Sequence, residues 1–454
     1  MNYKHAGLMA AFCCALANIP ALAAVTAEEA ALLKSTLTPF GAEKAGNKDG
    51  SIPPWDGGYT KSIPGYKPGG TRSDSPFSSE KPLFSINSKN VAQYADKLTE
   101  GQLALFKKYA DYRIDVYPTH RTASAPQWVY DNTFKNATHA KTTSNDGYSI
   151  ENAIGGIPFP IPKTGAEAMW NHQLMWQGEA WKWDFATYVT SADGKRFLTT
   201  DAVSNTNAPY YFKGNSTPNN KGDFLQIRFW TNGPAQKAGE QTVARYPLDQ
   251  AGVGTQFWQY LVGQRRVRKL PNASYDTPNF VASGAQNFDE VFVWLGPMDR
   301  YDWKLLGKKE LFIPYNNNGF LGPKTDAVLG KHFMNPDHVR WELHRVWVVE
   351  ANLVAGKRHV VPKRRFYLDE DTWLSSLAEG WDAKGQLWRS FFYLNALAPD
   401  LPGVVPTTYG QYDLLTGEWY TGVIFNDKPA QIEFMKPWPA SHFTPDAMAG
   451  EGIR

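Results

Sequence analysis

The sequence predicts a mainly β protein, a large curved antiparallel sheet with long extended arms. Three observations predict it. Most of the chain after Trp181 alternates apolar and polar residues with a period of two, as strands do and helices do not. The aromatic load is heavy, at 17 Trp, 22 Tyr and 25 Phe, and such side chains favour a pleated, half-buried surface. The 38 Gly and 31 Pro recur between these runs, where turns need them. At 454 residues the chain is long enough for one large β domain or two smaller ones.

Residues 1–23 read as a secretory signal peptide. Lys4 and His5 precede an apolar run from Ala6 to Ala17, and Ala21-Leu22-Ala23 forms a small-x-small cleavage site. Cys13 and Cys14 are the only two cysteines, and both lie in this leader. The mature chain is therefore expected to have no disulfide, no thiolate nucleophile and no cysteine metal site. A cysteine-free exported chain points to a bacterial periplasm. Phe12 before Cys13 does not suit a lipoprotein cleavage box, so the expectation is a soluble protein without a lipid anchor. No later run approaches the ~20 apolar residues of a spanning helix. A formal net charge of +3 argues against nucleic acid as a partner.

Residues 24–87 form the first expected unit, an extended arm rich in Gly and Pro after one short helix in AEEAALLKS. Asn47-Lys48-Asp49-Gly50 reads as a turn within it. The β domain is expected over 88–430. Two helical pieces open it between 88 and 111, the second capped by Thr99 with Gln102. DYRIDVYPTHRTASAPQWVYDNT alternates as strand, and GGIPFPIP is an extended connector. Thr164 with Glu167 caps a helix running through Met175, whose Met169, Trp170 and Leu174 share a core-facing side.

From Trp181 strands take over. WKWDFATYVTSADGKRFLTT is a hairpin turning at Asp193-Gly194. FWQYLV and RRVRK form another across Gly263, EVFVWLG is a further strand, and RYDWKLL with KELFIPY is a hairpin across Gly307. The meander continues through Ala355-Gly356 and Asp382-Ala383-Lys384-Gly385 as turns. Residues 431–454 are a second arm.

Catalytic signatures are missing: there is no G-x-S-x-G, H-E-x-x-H, P-loop or G-x-G-x-x-G. His338, Arg340, Glu342 and His344 share one strand face, yet Arg340 repels a cation, and a solvated polar face is expected. Asp369, Glu370 and Asp371 read as an acidic turn. No catalytic residue, metal ligand or cofactor is assigned. The basic run from Arg265 to Lys269 reads as a strand edge whose charges deter edge pairing, or as a rim for anionic headgroups.

Several long motifs resemble one exported bacterial family, the domain of unknown function numbered 1329. They are LTPFGAEKAGNKDGSIPPWDGG, DVYPTHRTASAP, GGIPFPIPKTGAEAMWNH, WQYLVGQRRVRKLPNASYDTP, DRYDWKLLGKKELFIPYNN and HVRWELHRVWVVEA. The segment WQYLVGQRRVRKL…DRYDWKLLGKKE is also similar to outer-membrane lipoprotein-sorting proteins of the LolA and LolB type. That resemblance implies an incomplete β-barrel with helices plugging its opening and an apolar cavity inside. With the resemblance to the 1329 family it implies envelope traffic in a lipid or other hydrophobic molecule, and the 1329 family implies outer-membrane β-barrel proteins and RND-type exporters as partners. On this reading Trp258, Tyr260, Trp294, Trp303, Trp341 and Trp347 are the expected ligand-binding wall, and Arg266 and Arg268 the rim. The other functional classes weighed are a non-catalytic docking subunit of an exporter and an envelope lipid or glycan hydrolase.

Overall fold

A computed structural model of the protein describes residues 24–63, 65–67, 72–143, 148–215 and 222–452. The expected leader lies outside these residues. The chain begins with the short helix α1 (Ala27–Ala31), followed by an arm whose only pairing as far as residue 63 is an isolated bridge between Leu37 and Glu43. Then come β1 (Phe84–Ile86), α2 (Glu100–Lys108), β2 (Ile114–Val116) and α3 (Gln127–His139). A small hairpin of β3 (Lys141–Thr142) and β4 (Ile150–Glu151) precedes α4 (Gly165–Gln173).

The sheet proper starts with β5 (Ala180–Thr190), β6 (Arg196–Asn207) and β7 (Asp223–Gly233). It goes on through β8 (Gln241–Pro247), β9 (Gln256–Leu261), β10 (Arg266–Lys269) and β11 (Tyr301–Pro314). After α5 (Thr325–Val328) come β12 (Trp341–Leu353), β13 (Lys363–Asp369), β14 (Ser375–Trp381) and β15 (Leu387–Ala398). The last elements are β16 (Gly403–Asp413), β17 (Trp419–Ile424), β18 (Ile432–Phe434) and α6 (Pro445–Gly452).

Sixteen strands make one open sheet in a permuted meander. Strands β11 to β17 neighbour one another in order, β17 pairs with β5, and β5 to β10 continue the sheet. Its two long edges are thus β10 and β11, which are consecutive in the chain. The β1–β2 pair joins β12 through one parallel contact, Trp341 with Val116, and β18 caps the start of β5.

What joins β10 to β11 runs through the middle of the sheet's concave side. Phe288 meets Phe257 of β9 with ring centroids 5.2 Å apart. Phe292 meets Trp183 of β5 at 5.6 Å and Tyr409 of β16 at 5.2 Å. Trp294 meets Trp303 of β11 at 5.0 Å and Phe366 of β13 at 5.9 Å. One seven-residue segment touching five strands from both ends of the sheet requires the sheet to wrap around it. Ion pairs pin the segment: fully buried Asp289 accepts from His359 at 2.9 Å and Arg364 at 3.2 Å, and Glu290 from Arg389. Buried charges are tolerated only when paired in this way.

Helix α4 is the second plug, with every residue buried. Thr164 Oγ1 accepts from the Glu167 amide at 3.2 Å, and the Glu167 carboxylate accepts from the Lys163 amide at 2.5 Å. His172 receives the Ser375 amide at 3.2 Å and bonds the Phe292 carbonyl at 3.2 Å, tying helix, sheet and central segment together. Burial holds its imidazole down at about 4.

Several expected elements change. EVFVWLG is the plug rather than a strand: Phe292 and Val293 adopt left-handed φ of 54° and 70° in succession, which breaks the extended backbone a strand needs. RYDWKLL and KELFIPY form one strand, β11, in which Gly307 (φ 93°) sits at a bulge in the pairing with β12 rather than at a turn. Residues 127–139 are helix α3, with Val129, Thr133, Asn136 and Ala137 spaced along one buried face. The expected helix through Met175 stops at Gln173. The turns at Asp193-Gly194 and Gly263, the Thr99–Gln102 capping box and the short helix α1 form as expected.

Candidate functional site

Strands β5 to β9 turn one alternating face inward. Trp183, Phe185 and Thr187 come from β5, Phe229 from β7, Ala244 from β8 and Phe257 from β9. Opposite them the plug contributes Phe280, Phe288 and Phe292. Between floor and roof lies a free volume of about 90 Å³, which widens to about 660 Å³ when its open mouth is counted. No charged side chain lines it; its polar side chains are Thr187, Ser204, Thr242 and Asn279, with the tyrosines Tyr246 and Tyr409. The roof is held over the floor by polar contacts to its backbone. Thr200 Oγ1 donates to the Val281 carbonyl at 2.9 Å, and Lys237 Nζ to the Phe280 carbonyl at 2.8 Å.

None of the six expected wall residues lines this cavity. Trp258 and Tyr260 point from the opposite face of β9 and pack under the C-terminal segment with Phe443 and Met448. Trp294 and Trp303 are buried against each other in the main core. Trp341 is buried at the start of β12, and half-buried Trp347 stacks on Trp373 at 6.3 Å with Lys308 Nζ 4.8 Å above its ring. Arg266 and Arg268 are exposed on β10 at the end of the sheet. The signal that locates the cavity is the W-x-F-x-T run at 183–187 on the inner face of β5. Sequence reasoning read that run only as half of a hairpin.

The face bearing Arg340, Glu342 and His344 is not solvated, which corrects the expectation. Glu342 is fully buried and accepts from Arg340 Nε at 2.6 Å, the His120 amide at 2.8 Å, Asn316 Nδ2 at 3.0 Å and His344 Nε2 at 3.2 Å. Asp369, Glu370 and Asp371 are buried too, not an exposed acidic turn. Arg121 grips both oxygens of Asp371 at 2.7 and 2.8 Å, and Arg345 and Lys308 each hold Glu370 at 2.7 Å. Asp369 lies 3.5 Å from His344 Nδ1. Burial by itself would lower the His344 pKa, but Asp369 and Glu342 outweigh it and push it up to about 9. Burial likewise opposes the ionised form of Glu342, which His344 and Arg340 restore, holding it below the usual carboxylate range.

His344, Asp369 and Asp371 bring ligand atoms within 4.8 Å of one another. With Asp371 already engaged by Arg121, and Arg340 sharing Glu342 with His344, this set suits a proton on His344 better than a metal cation. The network reaches the surface at His120, whose ring stacks on Phe77 at 3.9 Å and whose Nε2 lies 2.7 Å from Glu80. Polar clefts of about 750 and 680 Å³ flank that pair.

Among the described residues no helix is long and apolar enough to cross a membrane. Residues 85–449 match the family described as protein of unknown function, DUF1329. An uncharacterized protein of Pseudomonas aeruginosa is 39% identical over 99% of this chain and 98% of its own. Among solved structures, a DUF1329 family protein from Desulfovibrio piger aligns over 60% of this chain and 92% of its own, with 13% identity and a TM-score of 0.41. A putative outer membrane lipoprotein-sorting protein domain from Vibrio parahaemolyticus aligns over 60% and 92%, with 12% identity and a TM-score of 0.40. A LolA superfamily protein from Nitrosomonas europaea aligns over 63% and 100%, with 12% identity and a TM-score of 0.36. By the extent of the profile match and of the Pseudomonas relative, the chain belongs to the DUF1329 family.

Proposed function

We propose that the protein is a periplasmic carrier that binds a lipid or another elongated apolar molecule under β5–β9 and hands it between envelope components. One observation carries this reading: the uncharged, aromatic cavity between the inner face of β5–β9 and the plug segment. A packed core of this size would close such a space, since voids cost stability. No catalytic group is needed. Titration with a fluorescent apolar probe, such as N-phenyl-1-naphthylamine, tests the reading. Wild type binds it, and Ala244→Phe, which fills the cavity from its floor, weakens binding at least tenfold while the protein stays folded. Equal binding by both proteins would place the probe elsewhere and remove the reading's support.

The hydrolase alternative draws on one observation, the His120–Glu80 pair between two polar clefts. Turnover of p-nitrophenyl esters that disappears in His120→Ala would favour it over the carrier.

A further inference from the structure

We infer that the carried molecule is an anionic amphiphile, its apolar part in the cavity and its carboxylate or phosphate at Arg266 and Arg268. The inference rests on the carrier reading and adds the chemical class of the cargo.

Strand register supplies the geometry. Trp183 pairs with Ser204, Ser204 with Phe229, and Phe229 with Thr242, and these four line the cavity. The same row continues from Thr242 to Gln259 and from Gln259 to Arg268. Partners in one cross-strand row project from the same face. Arg268 therefore stands on the cavity's face of the sheet, one strand beyond Phe257's β9 and two strands from Thr242, or about 10 Å from the latter at ~4.8 Å per strand. Arg266, two residues away, shares that face. An extended arginine side chain covers much of the remaining distance.

Charge makes the placement specific. Four buried arginines elsewhere are paired with carboxylates: Arg121 with Asp371, Arg345 with Glu370, Arg364 with Asp289 and Arg389 with Glu290. Arg265 before β10 and Arg266, Arg268 and Lys269 on it are exposed, and none forms an ion pair among the described residues; Arg266 Nε donates to Gln264 Oε1 at 3.1 Å, and Lys269 lies over the Trp258 ring. Glu240, the carboxylate alongside the row, is engaged by Gln259 at 3.2 Å. β10 ends the sheet, so no further strand covers these guanidinium groups. A cavity without charge beside two unpaired arginines on the same face matches a molecule with one apolar and one anionic end. A guanidinium binds carboxylate and phosphate through the same forked geometry, so either head fits.

The test compares cis-parinaric acid with its methyl ester, which keeps the chain and removes the charge, by fluorescence titration of wild type and the Arg266→Gln/Arg268→Gln double variant. Both arginines are exposed, so the variant keeps its fold, which circular dichroism verifies. Wild type should bind the acid roughly tenfold more tightly than the ester at low salt, less so at high salt. In the double variant acid affinity should fall to the ester's value while ester affinity is unchanged. Equal affinities in wild type, or an acid preference that survives in the double variant, overturn the inference and leave the carrier reading standing. Failure of wild type to bind either probe overturns both. A further arm uses phosphatidylglycerol vesicles: if the double variant loses vesicle binding but keeps its acid preference, the arginines serve a membrane surface and the inference is wrong.

Discussion

Replacing His344 by Gln removes the imidazolium charge that faces Asp369 at 3.5 Å, while keeping the side chain's size and donor capacity. The groups around this imidazole are Glu342 on its own strand, Asp369 and Asp371 on the neighbouring strand and turn, Arg340 beside Glu342, Arg121 on Asp371, and Tyr315 stacked at 4.1 Å. Its pKa rises from an ordinary 6.5 to about 9 in the fold, a difference worth about 3 kcal/mol of stability. A raised pKa means the folded state holds the proton longer than the unfolded chain. The stabilisation is therefore complete below about pH 6.5, declines as pH rises, and is gone above about pH 9. Urea unfolding of wild type and His344→Gln at pH 6, 7.5 and 9.5 measures it, because subtraction cancels the titration of every other group. The stability gap should shrink by about 3 kcal/mol between the lowest and highest pH, with equal m-values. A gap that is the same at every pH would show that His344 is neutral in the fold, and a gap that widens would reverse the electrostatics described.

Three further changes probe the frame around the cavity. Arg364→Met leaves fully buried Asp289 without its guanidinium partner, and should cost about 3–5 kcal/mol in urea unfolding. Gly165→Ala places a Cβ 2.8–2.9 Å from the backbone of Trp303 and Lys304; the plug helix must retreat from β11, at a cost of about 1–3 kcal/mol seen as a lower melting temperature. His172, held down at about 4 by burial, titrates with the opposite sign to His344. Its contribution is present above about pH 6.5 and lost as pH falls through about 4, so His172→Gln should flatten the acid limb of the stability profile.

Local signals made the meander legible. Gly194 has φ of 90° between β5 and β6, where Asp-Gly marks a turn, and the capping box at Thr99 and the Thr164 N-cap open real helices, although Glu167 returns its carboxylate to the Lys163 amide rather than closing a box on Thr164. Long-range signals were not legible. The alternation along Arg340, Glu342 and His344 reads identically for a wet face and for a dry one satisfied by distant partners. Glu342 takes its hydrogen bond from His120, 222 residues away, and Arg121 meets Asp371 at a separation of 250. EVFVWLG has the composition of a strand, and only its burial inside the curved sheet, with two left-handed residues, makes it a plug. In the candidate site the alternation of β9 offered two faces without saying which is concave. Phe257 faces the cavity and Trp258 faces the C-terminal helix, a distinction set by how the whole sheet curls.

The central claim is that the cavity under β5–β9 holds a cargo in the cell. Native mass spectrometry of the protein purified from its native cells, followed by solvent extraction and analysis of the released compound, tests it most directly. The account predicts a stoichiometric apolar or amphiphilic adduct that is absent from Ala244→Phe. A mass equal to the bare polypeptide, unchanged after incubation with envelope lipids, would contradict the carrier reading and leave the docking subunit as the better description.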